Sequence, residues 1–160
     1  MASRSSPFWG FILILVLLHL VLRLALGLTI VPDLLIVAAL LGARRLGAPG
    51  AALLGLVLGV MADSLAVVAF GASAVAFVIV CYLGSRTRNL FEGDSYLFAA
   101  IYAFIGAWLF LAIRFLVGGF MARAEQPLMQ FASGAALESL YVAIATVVSL
   151  IAFRAITGRR

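Results

Sequence analysis

Between Ala48 and Gly84 the chain carries a single charged residue, Asp63. A straight helix over that run, rising about 1.5 Å per residue, would overshoot the roughly 30 Å hydrocarbon core of a bilayer. The run must therefore fold back once, and the turn is expected among Ser64 to Gly71. The rest of the chain obeys the same constraint: 66% of its residues are apolar and 11% charged, where a soluble domain carries roughly 25% charged residues. At about 20 residues per crossing, the 160 residues leave room for six or seven spans and no soluble domain. The 11 cationic residues, all arginine, are scattered through apolar sequence. They form no clustered nucleic-acid stripe and are to be read as topology. One cysteine, Cys81, permits neither an intramolecular disulfide nor a thiolate metal cluster.

The hydropathy pattern predicts an all-α integral membrane protein, a single polytopic domain over 1–160, with spans near 8–28, 30–43, 49–66, 70–85, 95–118 and 128–154. Ala25 and Gly27 imitate a signal-peptide cleavage site. The apolar run from Phe8 to Leu28 exceeds the usual length of about 7 to 15 residues, however, and His19 and Arg23 break it, so a retained first helix is expected. Pro32 suits the first turn of the second helix, which Arg44-Arg45 closes early. At about 18 Å, that helix spans only if Leu28 to Val31 extend it or if other helices cover its end. The fifth helix is expected to stop at Gly118, before Gly119, and Pro127 to open the sixth.

With six spans, both termini share one side. Arg4, Arg44, Arg45, Arg86, Arg88, Arg154, Arg159 and Arg160 fall there, against Arg123 on the other side. The positive-inside rule then places both termini in the cytoplasm of a multi-pass inner-membrane protein.

Six ionisable residues fall within or at the ends of the spans: His19, Arg23, Asp33, Asp63, Arg114 and Glu138. Hydrocarbon penalises each of them unless it is paired or hydrated, which makes them the candidate polar framework, or the lining of a partner or ligand groove. Counting rise per residue places Arg23, Asp63, Asp33 and Arg114 in the outer half of the membrane, with Arg23 paired to Asp63, and His19 and Glu138 near the middle. Blander readings stand beside these. Arg114 could snorkel outward, Asp33 could complement its own helix dipole, and His19 could be a structural histidine. Ala51, Gly55, Gly59 and Asp63 recur every four residues, a stripe of small residues for close helix packing inside the chain or, alternatively, for a dimer face. The sequence holds no zinc helix, phosphate loop or nucleophile elbow; Gly71-Ala72-Ser73-Ala74 fails at its last position. No catalytic residue, cofactor or metal site is expected.

Pro32-Asp33-Leu34-Leu35, then Gly55, Gly59 and Asp63 at fours, then Gly71, and finally Tyr82-Leu83 before an arginine pair together resemble the rod shape-determining membrane protein family MreD. The match covers Val31 to Asn89 and departs after Asp63, where Ser64-Leu65-Ala66-Val67-Val68 replaces the family's usual Ser-Gly pair. The resemblance implies a non-catalytic scaffold subunit of the elongasome that regulates peptidoglycan synthesis. Its partners would be the lipid bilayer, MreC as the direct contact, MreB, and RodA with its transpeptidase. It also implies a bundle similar to the S components of energy-coupling-factor vitamin transporters, which supplies the alternative function of substrate binding. An S component would carry an Ala-x-x-x-Ala docking stripe on its first helix, and Phe11 to Leu24 has none.

Overall fold

The computed structural model describes residues 6–25, 33–65, 70–87, 96–122 and 128–157. Leu28 to Val31, Pro32, Pro127, Arg4, Arg88, Arg123, Arg159 and Arg160 lie outside the described residues. Within them, six helices follow one another: α1 (Ser6–Ala25), α2 (Leu34–Ala43), α3 (Ala48–Ser64), α4 (Ala72–Thr87), α5 (Tyr96–Ala122) and α6 (Leu128–Thr157). Three are long and apolar enough to cross a membrane, over Pro7–Leu24, Tyr96–Gly119 and Phe131–Ile156. α3 and α4, with 17 and 16 residues, rise about 25 Å, whereas the 10 residues of α2 rise about 15 Å.

α5 does not stop at Gly118 as the sequence suggests but continues to Ala122. A glycine inside a helix costs about 1 kcal/mol relative to alanine, which weakens a helix without ending it.

α2 is apolar around its whole circumference, and every one of its residues is buried. A helix of that kind belongs inside a bundle, and α2 packs against each of the other five. Its C-terminal carbonyls receive side-chain donors from two neighbours, the Tyr102 hydroxyl to the Leu40 oxygen at 3.5 Å and, more weakly, the Cys81 thiol to the Ala39 oxygen at 3.8 Å. A tight turn over Arg44 to Gly47 then leads into α3, where Pro49 sits in the first turn. The start of α1 meets the end of α6 through Phe8 and Phe153, whose rings lie edge to face at 5.8 Å.

Phe77, Phe110 and the leucines of α2 fill the centre of the bundle, whereas the seam between α5 and α6 is built from small residues. Ala99, Ala103 and Ala107 on α5 and Ala135, Ser139 and Ala143 on α6 are buried, each set at intervals of four. These two helices pack closely together along their length. Leu17, Val21, Ile105, Leu116, Ile144 and Val148 are exposed. Water penalises such a surface and lipid does not, so small residues at a helix seam and large apolar residues outside are the expected pattern for helix association in a bilayer.

The tightest contact in the bundle joins α3 to α4. Ala51 is fully buried, and a side chain at Gly55 would come within 2.5 Å of the Phe77 carbonyl oxygen. At Gly59 it would fall onto the Ala74 Cα and within 2.9 Å of that residue's nitrogen. Both obstacles are backbone, which cannot move aside as a flexible side chain does. Gly59→Ala is therefore expected to cost about 1–3 kcal/mol by overpacking and Gly59→Leu to abolish folding. Gly118→Ala, where nothing lies within 4 Å, should not lower stability and should raise it by up to about 1 kcal/mol. Thermal melts of the three variants in one detergent check this.

Candidate functional site

Asp63 closes α3 but serves α4. Its carboxylate, 1% exposed, accepts hydrogen bonds from the backbone N–H groups of Gly71 at 2.9 Å, Ser73 at 3.1 Å and Ala74 at 2.9 Å. These are first-turn amides with no partner inside their own helix, and a negative charge is favoured at that end of the helix dipole. Gly71 makes the geometry possible: its φ of 99° lies in the left-handed region that a side chain disfavours. The expected pair between Asp63 and Arg23 is therefore not formed. Both Asp63 oxygens are taken up by α4, and the Arg23 side chain is exposed.

Asp33 performs the same task for α2, where its Oδ1 accepts from the Leu35 N–H at 3.1 Å. Because α2 is short, this cap sits deep in the bundle and not at its outer rim. His19 on α1 lies beside it, with Nδ1 3.6 Å from Asp33 Oδ1. The sequence-based layering thus needs correction: Asp33 belongs at the level of His19, since a helix of 10 residues that ends beside Arg44 begins only about 15 Å from that end.

Around this pair stand three further charged groups. Glu138 on α6 feels the charges of Asp33 and Arg114, and His19 feels those of Asp33 and Arg23. α1, α2, α5 and α6 thus bring His19, Arg23, Asp33, Arg114 and Glu138 into one electrostatic neighbourhood, with Asp63 assigned to the α3–α4 hairpin. Within it, His19 is buried, Asp33 half-buried, and Arg23, Arg114 and Glu138 exposed. Neither His19 ring nitrogen meets the criteria of a hydrogen bond with any described residue, and neither does the buried hydroxyl of Ser139. Among the described residues, no three His, Cys, Asp or Glu side chains gather into a group that could hold a metal ion.

Sequence reasoning missed Ser139, which adjoins Glu138 on α6 but carries no charge to draw attention to it. It also missed the aromatic partners of the arginines: Phe8 under Arg45, Tyr102 under Arg44 and Tyr96 under Arg154. The available signal was positional, because Tyr96 opens one helix and Arg154 closes the next on the same side. Comparison with family models, with curated proteins and with solved structures gives no match.

Capping predicts a graded loss at Asp63. Asp63→Leu strands three amides, one buried and two partly buried, and is expected to cost about 3 kcal/mol, whereas Asp63→Asn, which keeps an acceptor oxygen, should lose less. Combining Asp63→Asn with Arg23→Gln should give losses that add within about 0.5 kcal/mol, as for sites that do not touch. Detergent melts of the single and double variants measure all of these.

Proposed function

We propose that this chain is a scaffold: a six-span protein of the bacterial inner membrane, with both termini cytoplasmic, that holds another membrane protein in place without catalysing a reaction. The observation that carries the reading is Glu138. It lies within the apolar span Phe131–Ile156, about 15 Å from the beginning of α6, and its side chain is exposed on the surface of the bundle. A carboxylate at that depth has no short route to water, and lipid cannot hydrogen-bond it. A helix from a partner that supplies a donor to Glu138 and acceptors to Arg114 and Arg23 relieves the penalty, and interhelical polar contacts are among the interactions that associate helices in lipid.

The resemblance of Val31 to Asn89 to the MreD family gives that partner its identity. In this reading it is MreC, within the cell-wall elongation complex that also contains MreB, RodA and its transpeptidase. The arginine distribution supports the cytoplasmic termini, and the resemblance supports the inner-membrane location. The exposed apolar residues on α1, α5 and α6 support membrane embedding. The non-catalytic character is in keeping with Asp63, whose oxygens are engaged by backbone amides and unavailable to act with Glu138 as a second carboxylate.

One observation favours the S-component alternative. The buried His19 Nε2 and Ser139 Oγ have no hydrogen-bond partner among the described residues, as a pocket for a small vitamin-like molecule would require. The two functions predict different outcomes. For the scaffold, depletion in a rod-shaped host should give round cells, and co-expression with MreC should give a detergent-stable complex that Glu138→Leu weakens at least tenfold while the protein still folds. A purified protein that carries a stoichiometric small molecule and fails to hold MreC would establish the alternative.

A further inference from the structure

At the end of the bundle where α1 and α5 begin and α2, α4 and α6 finish, four arginines each lie over an aromatic ring. The guanidinium carbon of Arg45 is 4.6 Å from the centroid of Phe8, that of Arg154 4.8 Å from Tyr96, that of Arg44 5.5 Å from Tyr102, and that of Arg86 5.7 Å from Tyr82. Two of these arginines also reach the hydroxyl of their tyrosine, Arg154 at 3.3 Å and Arg86 at 3.4 Å. Three of the four pairs join separate parts of the chain, Arg44 and Arg45 from the turn after α2 and Arg154 from α6, so the rings help to fix the position of the charge. The described carboxylates Asp33, Asp63 and Glu138 all lie away from this end, at the start of α2, at the finish of α3 and within α6.

A guanidinium held over a ring by cation–π attraction still carries N–H donors with which it can bind a phosphate, bidentately where the geometry allows. Arg45 and Arg86 are exposed. Within two turns of the same end, Leu53 on α3, Leu83 on α4 and Leu97 on α5 are exposed at 62%, 41% and 66%. A fixed cationic site bordering an exposed aliphatic surface matches a molecule with an anionic phosphate head and acyl chains. A soluble phosphate would use the first half of the site and leave the second bare.

We propose that this arginine–aromatic collar binds the headgroups of anionic phospholipids, with Arg45 and Arg86 as the direct phosphate ligands. The binding is independent of which protein the opposite, polar part of the bundle holds. Basic residues beside a membrane surface contribute about fivefold each to the affinity for anionic lipid, and the attraction is screened by salt.

The test is a thermal melt in neutral detergent with added phosphatidylglycerol, phosphatidylcholine or inorganic phosphate. Phosphatidylglycerol should raise Tm saturably, and the other two should not. Its half-saturating concentration should rise about fivefold in Arg45→Gln or Arg86→Gln and about 25-fold in the double variant. Arg45→Lys, which keeps the charge and loses the planar fork, should fall between wild type and Arg45→Gln, and serves if the glutamine variants fold poorly. Equal stabilisation by phosphatidylcholine, an equal effect of inorganic phosphate, or unchanged affinity in the double variant or in Arg45→Lys would overturn the proposal.

Discussion

A helix of 10 residues, buried on every side, cannot carry its own N-terminus to water. α2 begins about 15 Å from the end of the bundle where it finishes, and its first amides lack intrahelical partners. Asp33 must supply the acceptor there, and a carboxylate placed so deep brings electrostatic consequences for every element around it. His19, 3.6 Å away, faces that carboxylate across the α1–α2 contact. Glu138 and Arg114 stand near enough to sense it or one another. The polar interior of this apolar protein thus starts from one short helix.

The same logic recurs at α4, whose first turn is served by Asp63 from the preceding helix. The two aspartates are therefore structural first, each completing a helix that begins inside the bundle. Capping leaves a different set for interaction with other molecules. Arg23, Arg114 and Glu138 are exposed on three helices whose surfaces are otherwise apolar, and these are the groups a partner helix would need to cover. At the other end of the bundle, arginines are held over aromatic rings, the proposed lipid site. One molecule thus divides its polar residues among capping, the proposed protein interface and the proposed lipid interface.

Much of the fold was legible in the sequence because hydrocarbon imposes simple rules. The turn between α3 and α4 lies within Ser64 to Gly71, where a charge-poor run too long for one span had to reverse. The four-residue spacing of Ala51, Gly55 and Gly59 faces α4 because close backbone approach needs side chains no larger than a methyl group. What the sequence hid was the vertical position of α2. Counting rise from an assumed outer surface put Asp33 at the rim, and only the packing of five helices around α2 shows that its start is internal. The pairing of Asp63 with Arg23 failed for a related reason. Equal depth makes two charges comparable in height, but an adjacent helix N-terminus competes for the carboxylate with three amides at once. Ser139 was illegible since an uncharged hydroxyl on a long apolar helix usually satisfies itself on its own backbone.

The account stands or falls on whether the exposed face around Glu138 meets protein in the membrane. A photo-crosslinking amino acid at position 138, compared with one at the exposed apolar position 148 on the same helix, reads this in intact cells of a rod-shaped host. The account predicts a discrete adduct with MreC from position 138 and lipid adducts alone from position 148. Lipid adducts alone from both positions would contradict it.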